Sequence, residues 1–203
     1  MINQQDPKGK WYLDRYGKFT ASMIHKIVPN SATGLFTPAG WNYIQERAIE
    51  AMTFLYEAPE LEFVEALIHG KAYEEHAFYE YLRVSKNLSM RHFGGENPLY
   101  LEYNDYSGGS PDGLMGSGTD IHWLLEIKCP KNPKNHFKYM NMRTQWDLKE
   151  QRPEYYAQIQ FLLMITKAAG AHFASYDERF RDESKRLKIL DVLPDKKFAD
   201  NLD

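Results

Sequence analysis

The sequence predicts an α/β domain, on three observations. Stretches with apolar residues at spacings of three and four fill the first third of the chain and return near residue 155. Between them, and again near the end, lie short runs rich in aromatic and β-branched residues, bounded by Gly, Asn and Asp. The chain has 203 residues, 43% of them apolar and 26% charged, which suits one globular domain with a real core. Residues 1–203 therefore read as a single domain of alternating helical and strand blocks.

Residues 1–10 read as a polar N-terminal arm. Thr20 can cap a short helix over residues 21–28, with Met23, Ile24 and Ile27 inward and Pro29 ending it. Ser22 falls in its first turn, where free N–H groups favour an anion, and Arg15 can reach the same place and grip a phosphate in parallel hydrogen bonds. A plain capping serine and a surface arginine fit equally. Thr37-Pro38 opens a second helix running to about Phe54, with Trp41, Ile44, Ala48, Met52 and Leu55 near one face. A third helix spans about Glu62 to Val84, with Gly70, Glu74, Ala77, Phe78 and Tyr81 on one stripe. Glu74 either sits at the edge of that stripe or needs a partner or cation there.

Strands are expected at Ser89–Phe93 and Leu99–Tyr103, then a hairpin. After Pro130 comes a basic, proline-broken loop in which His136, Phe137 and Tyr139 interleave with lysines, a pattern able to hold a nucleic-acid strand. Arg152-Pro153-Glu154 starts another helix. Tyr155, Gln158, Leu162 and Ile165 share its stripe and Gln160 falls off it. Gln158, in an apolar face, wants a partner, either a water or phosphate or a core backbone group. Strands at 171–177 and 187–193 come next, and Pro194-Asp195 begins a last helix.

The hairpin carries the chemistry. It contains Ser110-Pro111-Asp112-Gly113, a turn over residues 116–120, and an apolar strand ending Glu126-Ile127-Lys128-Cys129-Pro130. Glu126 and Lys128 are two apart and share one face of that strand, with Ile127 on the other. The turn can bring Asp112 beside Glu126. Two carboxylates at one point repel unless a cation lies between them. Such oxygen ligands suit magnesium or manganese, and a lysine at the edge can orient water or neutralise a phosphate.

Charge is unevenly spread. The net charge is −3, which argues against a protein that merely coats nucleic acid. Residues 8–28 nevertheless carry five basic residues against Asp14, and residues 128–152 carry seven against Asp147 and Glu150. Residues 57–80 carry seven glutamates against Lys71, a distribution that fits a basic groove with an acidic back and equally an uneven scatter of solvated charge. One cysteine excludes a disulfide framework and a cysteine-held iron–sulfur cluster, and fits a cytoplasmic setting. No apolar run has the length of a membrane helix, and residues 1–6 do not read as a secretory signal.

Five motifs in order carry a resemblance: Arg15 with Thr20-Ala21-Ser22, Gly70-x-x-x-Glu74, Ser110-Pro111-Asp112-Gly113, Glu126-Ile127-Lys128-Cys129-Pro130, and Tyr155-x-x-Gln158-x-Gln160. Together they resemble the lambda-exonuclease-like, or YqaJ-like viral recombinase, family of the PD-(D/E)xK nuclease superfamily, over roughly residues 11–193. Tyr176-Asp177-x-Arg179-Phe180 resembles the segment next in order in that family. The resemblance implies a restriction-endonuclease-like core, a central mixed sheet flanked by helices. It implies a magnesium-dependent 5′→3′ exonuclease, with manganese able to substitute, digesting linear duplex DNA to mononucleotides and leaving 3′ overhangs for phage-type recombination. Asp112 and Glu126 would ligate the metal with the Ile127 carbonyl, and Glu74 would help hold it. Lys128 would position the water, Gln158 would orient water or phosphate, and Tyr155 would support the site. Arg15 and Ser22 would bind the 5′-phosphate of a DNA end, with Lys131 and Tyr155 on the DNA side. A homotrimeric ring, a single-strand annealing protein as partner, and a bacterial cytoplasm hosting a phage or prophage are also implied. The competing readings are an endonuclease or resolvase with the same site, and a non-catalytic recombination adaptor.

Overall fold

The computed structural model describes residues 7–29, 33–53, 65–95, 97–118 and 120–202. Helix α1 (Pro7–Asp14) leads to the two-residue strand β1 (Phe19–Thr20) and a 3-10 helix (Ala21–Lys26). Helices α2 (Pro38–Thr53) and α3 (Glu65–Ser85) come after it. Strands β2 (Met90–His92), β3 (Leu101–Asn104), β4 (Ser107–Gly109), β5 (Gly113–Ser117) and β6 (Asp120–Lys128) come next. Three helices, α4 (Pro133–Met140), α5 (Gln145–Gln151) and α6 (Pro153–Thr166), carry the chain to β7 (Gly170–Tyr176). A 3-10 turn, strand β8 (Leu187–Val192) and helix α7 (Lys196–Leu202) complete it.

The main sheet runs β2-β5-β6-β7-β8 and is mixed: β6 and β7 are parallel and the other pairs antiparallel. The alternation expected for β6 decides how the sheet is covered. Leu125 and Ile127 pack with Ala77, Phe78 and Tyr81 of α3 on one face, and Leu124 packs with Ile159, Leu162 and Leu163 of α6 on the other. Helix α6 is buried nearly all round, as the helix linking two parallel central strands must be. This is the α/β fold with a mixed sheet between helices that the sequence predicts.

A second sheet, β1-β4-β3, pairs Phe19 with Ser107 and Thr20 with Gly108 in parallel. It carries residues 19–22 to the segment that leads into Asp112. Gly109 permits the approach, because a Cβ there would stand 2.6 Å from the Ala21 Cβ and 2.7 Å from a Leu162 methyl.

The structure corrects several expectations. Residues 7–10 form the first turns of α1 rather than a polar arm; residues 1–6 lie outside the described residues. Residues 133–140 are a capped helix and not a loop: Asn132 accepts from the Lys134 N–H, and Pro133 sits in the first turn. Its His136 and Tyr139 are buried, so they are core residues and not a nucleic-acid surface, while Phe137 is exposed. Helix α5 was not expected. It is started by a capping box between Thr144 and Asp147. On α2 the expected apolar face is largely outward, with Trp41, Ala48 and Met52 exposed, while Tyr43 and Gly40 are the buried residues. Periodicity marks a face but not what covers it. Phe54, Leu55 and the start expected for α3 at residues 62–64 lie outside the described residues.

Candidate active site

Three charged side chains meet at the end of β6, each placed by backbone pairing. The antiparallel register sets Gly113 opposite Leu125, so Asp112, one residue before β5, lies beside the last residues of β6. Its Oδ2 accepts the Ile127 N–H at 2.6 Å. Glu126, only 2% exposed, directs its carboxylate toward the α6 face. There Oε1 accepts from Lys128 Nζ and from Gln158 Nε2, the latter at 2.6 Å. Gln158 is the polar residue that the α6 stripe left without a partner, and Glu126 is that partner. Gln160, off the stripe, has a structural role: it donates to the Leu193 carbonyl at 2.9 Å and accepts from the Asp195 N–H at 2.8 Å.

The electrostatics arise from crowding of like charge around a buried carboxylate, Glu126, with Asp112 and Lys128 half-buried beside it. Burial first, and then the Glu126 charge, push the Asp112 carboxyl well above the usual carboxylate range. Burial raises Glu126 as well, although Lys128 and Gln158 oppose it. Burial alone would lower Lys128, but the two carboxylates outweigh it and hold the ammonium protonated. Lys128 Nζ also lies 5.0 Å over the Tyr155 ring, which is stacked on Phe173 at 6.0 Å.

Glu126 Oε2 is buried and, among the described residues, without a hydrogen-bond partner. A buried carboxylate oxygen left bare is costly, and a cation beside it would remove the cost. Among the described residues no three His, Cys, Asp or Glu side chains are gathered as a metal cage. A cation here would draw on two carboxylates, a backbone carbonyl and water, a donor set that suits magnesium. Glu74, on α3 across the sheet, is near enough to raise both acids electrostatically, but its own Oε1 lies 3.1 Å from His92 Nε2. His92 is stacked on Phe78 at 4.8 Å and pairs with Gly113 in the sheet. The Glu74–His92 contact is not legible in the sequence, because only the fold brings β2 against α3.

The N-terminal residues meet the same segment at Ser110, two residues before Asp112. Trp11 Nε1 donates to Ser110 Oγ at 2.7 Å, and the Arg15 guanidinium lies 4.1 Å over the Trp11 ring. The Trp11–Arg15 spacing of four, along α1 and the turn after it, is a signal for this stack that the motifs do not include. Ser22 is exposed and its Oγ lies 3.4 Å from Thr20 Oγ1. Ser22 is the second residue of the 3-10 helix, with Thr20 at the cap position but making no side-chain cap bond. Lys131 is exposed and paired with Glu65, so it is not brought onto the acids.

The chain matches the model of the YqaJ-like viral recombinase domain over residues 10–169. It belongs to that family. The matched span contains both acids, Lys128, Gln158, Glu74 and Arg15. Among solved structures, this family member is similar to an alkaline exonuclease from Laribacter hongkongensis, at 24% identity and TM-score 0.72, with 95% of this chain and 88% of that one covered. The same exonuclease in complex with dAMP aligns at TM-score 0.73 and 24% identity, covering 95% and 86%. A phage-related exonuclease from Haemophilus somnus aligns at TM-score 0.65 and 15% identity, covering 94% and 91%. These likenesses are of fold, and the fold is that of nucleases. No curated protein matches the chain. Among the described residues no helix is long and apolar enough to cross a membrane.

Proposed function

We propose that this protein is a magnesium-dependent 5′→3′ exonuclease that digests linear duplex DNA from 5′-phosphorylated ends to mononucleotides, leaving 3′ overhangs for phage-type recombination. One observation carries the reading: a buried carboxylate, Glu126, has one oxygen held by Lys128 and Gln158 and the other without a partner among the described residues, and a second acid, Asp112, is close enough for their charges to couple. Membership of a viral recombinase family, and the exonucleases that share the fold, support the same direction.

Asp112, Glu126 and the Ile127 carbonyl would hold magnesium, or manganese in its place, and Glu74 would help hold it directly or through water. The metal supplies Lewis-acid charge at the scissile phosphate. Lys128 stays protonated among the acids, so it acts as a donor and a charge and not as a base. It orients the attacking water and meets the charge that builds on the phosphate oxygens. Gln158 keeps Glu126 Oε1 turned toward α6, which leaves Oε2 for the cation. Tyr155 supports Lys128 from below. Arg15, carried on Trp11, and Ser22 receive the terminal 5′-phosphate, and Lys131 lies farther along the DNA. A homotrimeric ring would line its channel with the basic stretches, letting a chain of net charge −3 stay on duplex DNA. A single-strand annealing protein would take up the 3′ strand.

One assay tests the reading. Linear duplex with 5′-phosphate, linear duplex with 5′-hydroxyl, and closed circular DNA are incubated with magnesium, each beside a chelator control. Loss of the phosphorylated linear DNA first, blocked by chelator, is expected. Cutting of the circle would replace the exonuclease with an endonuclease using the same residues. Binding without any cutting would leave an adaptor.

A further inference from the structure

The turn after β7 contains an ion pair outside the candidate active site, a buried acid held by an arginine at the surface. Asp177 is 3% exposed. Arg179 grips it through Nε at 2.7 Å and Nη2 at 2.8 Å, and the Arg179 backbone N–H adds a contact at 3.1 Å. Burial alone would raise Asp177, but the hydrogen bonds and charge of Arg179 outweigh it and hold the carboxyl low. A two-pronged grip on an ionised carboxylate fixes the plane of the guanidinium.

The remaining donors of that plane point at one place. Nη1 donates to the Lys131 carbonyl at 2.8 Å and Nη2 to the Pro130 carbonyl at 3.0 Å. His69 Nδ1, from α3, stands 3.2 Å from the Cys129 carbonyl. Three successive carbonyls after Lys128 are thus held by side chains from two other elements. The location matters because the β6–β7 ladder ends at the pair Lys128–Ser175. Beyond it no strand partner among the described residues holds the chain, and strand ends fray. Glu126, Ile127 and Lys128 are the last three residues of that ladder. Four of the five guanidinium N–H groups are directed at these protein acceptors, which leaves little of Arg179 for DNA.

We propose that the Asp177–Arg179 pair is a positioning clamp for the catalytic strand. It replaces the missing ladder after Lys128 and so holds Lys128 and the Ile127 carbonyl in register with Asp112. The clamp rests on the nuclease reading, and it acts through other groups, touching neither substrate nor metal.

The test uses the full chain as wild type, Arg179→Ala, Arg179→Lys and Asp177→Asn. Four quantities are measured: amide hydrogen exchange over residues 127–132 without metal, affinity for 5′-phosphorylated duplex in chelator across a salt series, kcat on that duplex, and the magnesium concentration giving half-maximal rate. For Arg179→Ala we expect exchange at 127–131 to quicken about tenfold or more, as local opening would allow. The rate should fall by a similar factor and the magnesium midpoint should rise. DNA affinity and its salt slope should stay within about twofold. Arg179→Lys, which keeps the charge but loses the fork, should recover only part of the rate, and it serves if the alanine variant does not fold. An Arg179→Ala protein with unchanged exchange and rate overturns the clamp. So does one whose salt slope drops by about one with its rate intact, which would make Arg179 a phosphate contact. A wild-type protein that cuts nothing fails the nuclease reading; the clamp fails alone only when wild type and Arg179→Ala cut equally well.

Discussion

The end of β6 and the corner formed by α1 and β1 touch the same Ser110-Pro111-Asp112 segment, and they handle charge in opposite ways. At the end of β6, Glu126 is buried against Gln158 with Asp112 and Lys128 half-buried beside it, and the proton affinities of the two acids are displaced. At the corner, Arg15 lies half-buried on Trp11 and Ser22 faces solvent. Electrostatic interactions gain strength where water is excluded and lose it to screening where water and salt enter. On the proposed reading the first region would serve the chemistry and the second the selection of an end, so damage to each should read out differently.

The largest effect is expected at the buried acids. Asp112→Asn keeps an oxygen for the Ile127 N–H but loses the charge, and should lower cleavage by roughly a thousandfold while duplex binding in chelator persists. Retained cleavage would remove Asp112 from the chemistry. Lys128→Met should cost roughly a hundredfold in kcat with little change in KM, since its contact matters as charge develops. A defect that appears only in KM would recast Lys128 as a binding residue. Gln158→Ala should cost less, about tenfold, because Lys128 still holds Glu126 Oε1 and only one hydrogen bond to a charged group is lost.

The corner should give smaller and different losses. Arg15→Ala is expected to erase a preference of about tenfold for 5′-phosphate over 5′-hydroxyl ends, the scale of a charged hydrogen bond, and to leave the rate on hydroxyl ends alone. In wild type that preference should shrink as salt rises, measured as the ratio of initial rates on the two ends. An unchanged ratio in Arg15→Ala would dissolve the end-binding assignment.

The smallest expected effect has the opposite sign. Because the Asp112 pKa is raised, the folded metal-free protein keeps a proton that the unfolded chain releases. Its stability should therefore fall as pH rises from the ordinary carboxylate range through the raised value. Asp112→Asn lacks that penalty and should melt about 2–4 °C higher at neutral pH without metal, the shift that 1 kcal/mol gives in a domain of this size. Saturating magnesium should reverse the order, since only wild type has both acids for it; calorimetry with and without metal checks both signs.

Much of the hairpin is legible in the sequence because its determinants are local. A period of two puts Glu126 and Lys128 on one face, and a turn rich in glycine closes the hairpin, leaving Asp112 beside β6. Gln158 announces itself as a polar residue in an apolar stripe, though its partner lies 32 residues away. The prolines and lysines of α4 resemble those of a linker, and this hides the helix start at Asn132-Pro133. The face of α2 is apolar as its periodicity says, yet it stays exposed, because periodicity says nothing of the neighbour.

The sequence by itself determined the alternation of elements, the motif order and the residue types of the site, since these depend on side-chain chemistry and short-range spacing. Tertiary structure alone decided which groups meet. It turned Glu74 toward His92, set Trp11 under Arg15 beside Ser110, left one oxygen of Glu126 bare, and brought Arg179 onto the carbonyls that come after Lys128. Most of those contacts join residues far apart in the chain. Their geometry is fixed by sheet register and helix packing, which no local pattern encodes.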